Sequence, residues 1–173
     1  NDINRYDVLA VVNQEDFDAS LQTLEEDTRI SSVQPLSVDS VTVSSPASPN
    51  SETDTSSAGG TTSEAKESLQ LFIVPDGASL SDFINTRTSA DIPCELSDEG
   101  MLLTRNAAEL LGISEGGSAH VETSTLKQAD VPVQYVIDNY LGNAAYLTES
   151  TYEKYFGTSA DPNGFFILSL IHI

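Results

Sequence analysis

The chain has one cysteine, Cys94, and two histidines, His120 and His172, so nucleophilic or metal chemistry has few places to start. A catalytic thiol needs a neighbouring base to favour the thiolate. Only the histidines could serve, and neither stands in a local signature with Cys94, so the thiol reads as structural. One cysteine also cannot form an intramolecular disulfide, which leaves stability to packing. The run Gly116-Gly117-Ser118-Ala119-His120 begins like a nucleophile elbow but has His120 where that motif needs its second glycine. It reads as a turn into a strand. Glu25-Glu26-Asp27 and the Asp16/Asp18 pair could offer oxygens to a cation, yet the alternating calcium-loop pattern with a central Gly and a terminal Glu is missing. These carboxylates read as a solvated helix face. A Gly-Lys-Ser/Thr phosphate loop is absent as well. The expectation is a chain with no catalytic residue, no metal and no cofactor.

The tyrosines at 135, 140, 146, 152 and 155 are a different kind of candidate. Stacked aromatics could bind sugar or peptide, but their spacing is that of strand and helix core faces. Tyr140 and Tyr146 are the two expected at the surface, on either side of Gly142 and Asn143, where the backbone can turn. Tyrosine suits a contact surface because it offers area and a polar tip at low entropic cost. Tyr140, Gly142, Asn143 and Tyr146 therefore form the expected interaction surface.

The charge balance restricts the partners. Of 173 residues, 27 are acidic and seven basic, a net charge of -20. Nucleic-acid binding needs a basic patch that releases counterions, and adsorption on anionic lipid needs the same; both are disfavoured. A hydrophobic content of 39% suits a globular domain. No apolar run approaches the length of a membrane span, and the ends read as those of a domain taken from a longer chain.

The elements follow from periodicity. Tyr6 to Val12 reads as a central strand. Asn13 is placed to cap a helix whose Phe17, Leu21 and Leu24 make one stripe. Val33, Val41 and Val43 mark extended chain, with Pro35 at an edge or break. Residues 44–67 contain no large apolar side chain and are rich in Ser and Thr, so they are expected to be a disordered insertion, leaving 1–43 and 68–173 as one domain, divisible into two lobes. Leu69 to Val74 is a strand, and Ser79 or Ser81 starts a short helix. Met101 to Leu103 is a strand leading to a helix capped by Thr104 and closed by Gly112, with Ile113 folding back on Ala108. Ala119 to Glu122 and Val131 to Ile137 are strands. Ser150-Thr151-Tyr152-Glu153 reads as a capping box, and Gly157 ends that helix. The sum is an α+β fold: a mixed β-sheet with short helices, β-α-β units and a small β-rich lobe.

Two stretches carry a resemblance to a known family. Glu99-Gly100-Met101-Leu102-Leu103-Thr104 with Ala108-Glu109-Leu110-Leu111-Gly112-Ile113-Ser114-Glu115-Gly116 is the first. Asn139-Tyr140-Leu141-Gly142-Asn143-Ala144-Ala145-Tyr146-Leu147-Thr148 with Tyr152-Glu153-Lys154-Tyr155-Phe156-Gly157 is the second. Both resemble phrases in the extracytoplasmic domains of FtsX-like, including MacB-like, ABC-transporter permeases of Gram-positive bacteria. Gly117 stands where the family pattern has Asp, and Asn143-Ala144 replaces a His-Tyr pair. The resemblance implies a non-catalytic domain on the outer side of the cell membrane, between transmembrane helices of a permease. Its partners would be the transmembrane part of the same protein, a cytoplasmic ATPase acting indirectly, and an extracellular substrate or accessory protein. Such a domain should have both chain ends on one side of the fold. A free-standing surface adhesin or ligand-binding module would be favoured by distant ends. An unrecognised hydrolase would be favoured by a cleft of acidic residues around His120.

Overall fold

The computed structural model describes residues 8–46, 65–84, 86–88, 90, 92–138 and 143–170. Its elements in chain order are β1 (Val8–Val11), α1 (Phe17–Glu26, entered through a 3-10 turn at Gln14–Asp16), β2 (Ile30–Ser44) and β3 (Lys66–Val74). A second 3-10 turn (Leu80–Asp82) precedes β4 (Met101–Thr104), α2 (Arg105–Leu111), β5 (Ser118–Glu122) and β6 (Gln128–Ile137). The chain closes with β7 (Ala144–Thr148), α3 (Glu149–Phe156) and β8 (Gly164–Ser169). The strands form one mixed sheet in the order β1-β8-β2-β3-β7-β4-β6-β5, which is the α+β class expected.

One long strand organises this sheet. β2 is 15 residues long and uses its two halves differently. Ile30 to Leu36 pair with β8, and Ser37 to Ser44 pair with β3. Thr42, Val43 and Ser44 also pair with Glu122, Val121 and His120 of β5. That last pairing joins the far end of the sheet back to β2, so β2-β3-β7-β4-β6-β5 close into a ring of six strands. β8 and β1 continue from the other half of β2 as an open lobe. Pro35 falls in the half of β2 that β3 does not reach, so its missing N–H leaves no gap in the β2–β3 ladder.

Alternation along the strands divides the apolar side chains into three clusters. One face of the ring strands carries Val43, Leu71, Leu103, Val121, Val133 and Leu147, which pack with Ala107, Ala108 and Leu111 of α2 and Tyr152 and Phe156 of α3. The opposite face carries Phe72, Leu102, Ile137, Tyr146 and Phe166, and Leu80, Phe83, Ile84 and Cys94 lie over it. In the open lobe Phe17 of α1 stacks on Phe165 at 4.8 Å, with Ile167 beside them.

Gly112 ends α2 in the left-handed conformation, φ 68°, and the Ile113 N–H donates to the Ala108 carbonyl at 2.9 Å. This is the reversal that the sequence announces. Gly100 is required for another reason. A Cβ there would come within 2.5 Å of the Pro132 carbonyl oxygen, because β4 enters the sheet against the backbone of β6.

Four local readings are corrected. The first strand is at the sheet's edge and not central, because β8 covers only one of its sides. Its β-branched run is what a buried strand and an apolar edge share. The last helix starts at Glu149 with Thr148 as its cap: the Thr148 hydroxyl accepts from the Thr151 N–H. It starts earlier than the capping-box reading because Thr148 ends β7 in extended conformation with its oxygen free to turn onto the helix. β7 itself was not expected, since Ala144-Ala145-Tyr146-Leu147-Thr148 is short and not alternating. All five residues are buried, because β7 lies between β3 and β4 and is covered on both faces. Finally, Ser44, Lys66 and Glu67 belong to the β2–β3 ladder, Ser44 facing Lys66 and Val43 facing Glu67. The expected insertion therefore begins after Ser44 and ends before Lys66, and 47–64 lie outside the described residues.

Candidate functional site

Of the four residues expected at an interaction surface, two are described. Asn143 stands just ahead of β7, where its side-chain oxygen accepts from Asn106 Nδ2 at 2.6 Å and its carbonyl accepts from the Gln70 N–H at 3.4 Å. Tyr146 is not at the surface. It is 2% exposed and stacks on Phe72 at 5.2 Å. Within β7, Ala145 and Leu147 face the ring core, so Tyr146 takes the opposite face, which the Leu80 to Cys94 segment and Phe166 cover. Its expected exposure assumed that this face met solvent. Tyr140 and Gly142 lie outside the described residues. Tyr152 is buried in the ring core, and Tyr155 packs partly buried against it.

A cleft of about 670 Å³ lies beside this region, between α2 and the segment around Thr88 and Ile92. Two of its charged side chains, Arg105 and Glu115, are engaged in bonds to neighbouring elements. Arg105 pairs with Asp138 at 2.5 Å, and the Asp138 N–H donates to the Arg87 carbonyl. The hydrogen bond to Asp138 raises the Arg105 pKa, so the guanidinium stays charged. A carboxylate oxygen of Glu115 accepts from the Val136 N–H at 3.0 Å. The Thr88 hydroxyl accepts from the Ala90 and Ile92 N–H groups, an ordinary turn contact. These bonds hold the end of β6, the start of α2 and the residues around Arg87 and Thr88 in one arrangement. They build a rigid wall.

The other chemistry-bearing side chains are held singly. His120 is on β5, with Nδ1 2.7 Å from Asp130 and Nε2 2.9 Å from Gln128, both on β6. Asp130 first and Gln128 second raise its pKa. The imidazole thus links two neighbouring strands, and the acidic group next to it is one cross-strand partner. Cys94 is buried, and burial first, then the charge of Glu115, pushes its pKa up. That favours the unreactive thiol. Among the described residues no group of three or more His, Cys, Asp or Glu side chains could hold a metal ion.

One polar contact has no signal in the local sequence. Asp76, in the turn after β3, accepts from both the N–H and the hydroxyl of Ser150 in the first turn of α3. It satisfies a helix N-terminus from 74 residues away, and the Ser150 hydroxyl, then its N–H, lowers the Asp76 pKa. Glu149 next to it is raised, by burial first and then by the charge of Asp76.

The two described ends, Val8 and Leu170, lie in the open lobe. Val8 faces Ile167 across the β1–β8 ladder, and the Leu170 N–H donates to the Arg29 carbonyl at 2.7 Å. Both described ends therefore leave from the Ile30 end of β2. Ser44 and Lys66, which flank the connection between β2 and β3, are at its other end, about 45 Å away for a strand of this length. No helix among the described residues is long and apolar enough to cross a membrane.

The architecture is thus a closed mixed ring with a short open lobe that carries both described ends, and it has a counterpart among solved structures. No protein-family model matches the sequence, and no curated protein matches it. The fold is similar to the crystal structure of the extracellular domain of the noncanonic ABC-type transporter YknZ from Gram-positive bacteria. The TM-score is 0.51 at 13% identity, over 93% of this chain and 81% of that one. At this identity the likeness is one of fold.

Proposed function

We propose that this chain is the extracytoplasmic domain of an ABC-transporter permease of the FtsX-like or MacB-like type. In this role it couples motion of transmembrane helices to an outer substrate or accessory protein. The observation that carries the reading is the fold shared with a transporter's extracellular domain along nearly the whole chain. The adjacent ends support it, since a domain inserted between two transmembrane helices must begin and finish on the membrane side. In that orientation β2 runs outward, and Ser44 and Lys66 lie at the pole farthest from the bilayer. The domain itself would do no chemistry. Hydrolysis by a cytoplasmic ATPase would shift the balance between two arrangements of the transmembrane helices, and the domain would be carried between two positions. The ring suits such a lever, because a strand with neighbours on both sides transmits displacement without fraying.

The test is made on the full-length permease in its native membrane. A single cysteine placed within 47–64, with Cys94→Ala, should react with a membrane-impermeant maleimide on intact cells. Labelling only after lysis would overturn the placement. Coupling is read separately: a partner that engages the outer pole should change the ATPase rate of the reconstituted transporter, and a rate indifferent to every outer ligand would leave the domain without a coupling role.

A further inference from the structure

The open lobe contains a sheet edge of an uncommon kind. Among the described residues β1 is the outermost strand of the sheet, with β8 on one side. The Val12 N–H donates to the Asn163 carbonyl at 2.8 Å, on the β8 side. Alternation along the strand then points the N–H and C=O groups of Leu9 and Val11 to the open side. Edge strands are normally protected by a lysine, a proline, a bulge or an inward charge. Val8-Leu9-Ala10-Val11 has none of these, and Val8 and Val11 are 50% and 58% exposed. Beside this edge is a groove of about 730 Å³ whose far wall is α1. The buried stripe of α1 is turned to Phe165 and Ile167, with Phe17 against them. Its neighbouring stripe, Asp16, Ala19, Ser20 and Thr23, faces the groove. A strand laid against β1 would find two donors, two acceptors and room for small side chains.

The charge around the groove selects what that strand can be. Asp16 is the charged side chain in the groove lining, and the same helix carries Glu15 and Asp18 at its start and Glu25, Glu26 and Asp27 at its end. Arg29, the single cation between residues 8 and 36, is tied to Asp27 at 2.8 Å. A second copy of this chain would bring the same carboxylates to the contact, and like charges facing each other oppose it. We propose that the open edge of β1 receives an extended cationic peptide segment of another protein as an added strand. Its small side chains seat against Ala19, Ser20 and Thr23, and a Lys or Arg meets Asp16. The main chain supplies the register, and Asp16, on a helix rich in carboxylates, supplies the selectivity. The contact is short, so the complex is of the weak, transient kind. This inference does not depend on the permease reading.

The test titrates the ¹⁵N-labelled 173-residue chain with an acetylated, amidated octapeptide of alternating lysine and valine. The amides of Leu9, Val11, Ala19, Ser20 and Thr23 should shift together, and exchange at Leu9 and Val11 should slow about tenfold on saturation. The same peptide with glutamate for lysine should bind at least about tenfold more weakly. Val11→Pro removes an open-side donor and leaves the β8 ladder intact, so it should abolish binding. Should that variant fold poorly, Ser20→Trp fills the groove from an outer helix face and should weaken binding by about the same factor. Shifts confined to the acidic residues of α1, with Leu9 and Val11 unmoved, would overturn the proposal as mere charge adsorption. Protected Leu9 and Val11 amides in a peptide-free dimer would overturn it in favour of self-association.

Discussion

In the ring every strand has a neighbour on both sides, and all four residues of β4 are buried. In the open lobe β1 has one neighbour among the described residues, and only Phe17 of the ten residues of α1 is buried. The two regions share β2, so local β propensity cannot explain the contrast. Closure explains it. Joining β5 to β2 removes the sheet edges and gives two helices and a long loop a complete surface to pack on. The lobe has a three-strand ribbon and one helix, and its sheet is left open on one side. Regions with few buried contacts open locally at lower free energy. The ring should therefore set the global stability, and the lobe should be where the molecule adapts.

The sharpest way to break this contrast is a cavity in each region. Leu103→Ala, at a fully buried ring position, should cost about 2–5 kcal/mol in urea unfolding. Leu24→Ala, on the half-buried stripe of α1, should cost less than about half as much. Equal losses would mean that the lobe is packed as tightly as the ring. Next in size is Gly100→Ala, which sets a methyl against the Pro132 carbonyl oxygen and should cost about 1–3 kcal/mol. A smaller effect separates the helix caps. Thr148→Ala removes an acceptor for the Thr151 N–H and should cost about 1 kcal/mol. Asn13→Ala at the entry to α1 should change little, because its side chain makes no capping bond.

The smallest expected effect is a pH dependence confined to the ring. The folded His120 pKa is raised by Asp130 and Gln128 above its ordinary 6.5. Its contribution to stability is therefore fully present below 6.5 and is lost as pH rises through the folded pKa. The imidazole is about one-third exposed, 35%, so solvent screens the pair and the change is small. His120→Gln should flatten the stability profile in that window and leave it unchanged at pH 9. An unaltered slope in the variant would show that the β5–β6 contact does not titrate.

Much of this was legible locally. The helix of Arg105 to Leu111 and its Gly112 stop, the Gly116-Gly117 turn, and the strands at 69–74, 101–103, 119–122 and 131–137 all match segments expected from periodicity and turn residues. The candidate site was less legible. Asn143 could be picked out beside a glycine, but the burial of Tyr146 depends on what lies over the far face of β7. The cleft residues Arg105 and Glu115, and Asp138 that pairs with Arg105, gave no signal, since each looks like an ordinary surface charge until its partner is known. The groove beside β1 joins residues 10–12 to 16–23 and to Phe165, a set with no shared pattern.

The sequence by itself determined where the chain turns, where helices stop and which strand positions are apolar, because glycine conformation and side-chain alternation act over a few residues, whereas Asn13 and Thr104, expected as caps, make no side-chain capping bond. It also determined the acidic character that disfavours anionic partners. Only the tertiary structure decided that β5 returns to β2, that the first strand is an edge, that Asp76 caps a distant helix and that an aromatic beside a turn is core. Those outcomes depend on which surfaces meet. Apolar alternation states that a face must be covered but not by which segment, and the pairing of Val43 with Val121 or of Val8 with Ile167 is settled when the whole chain packs.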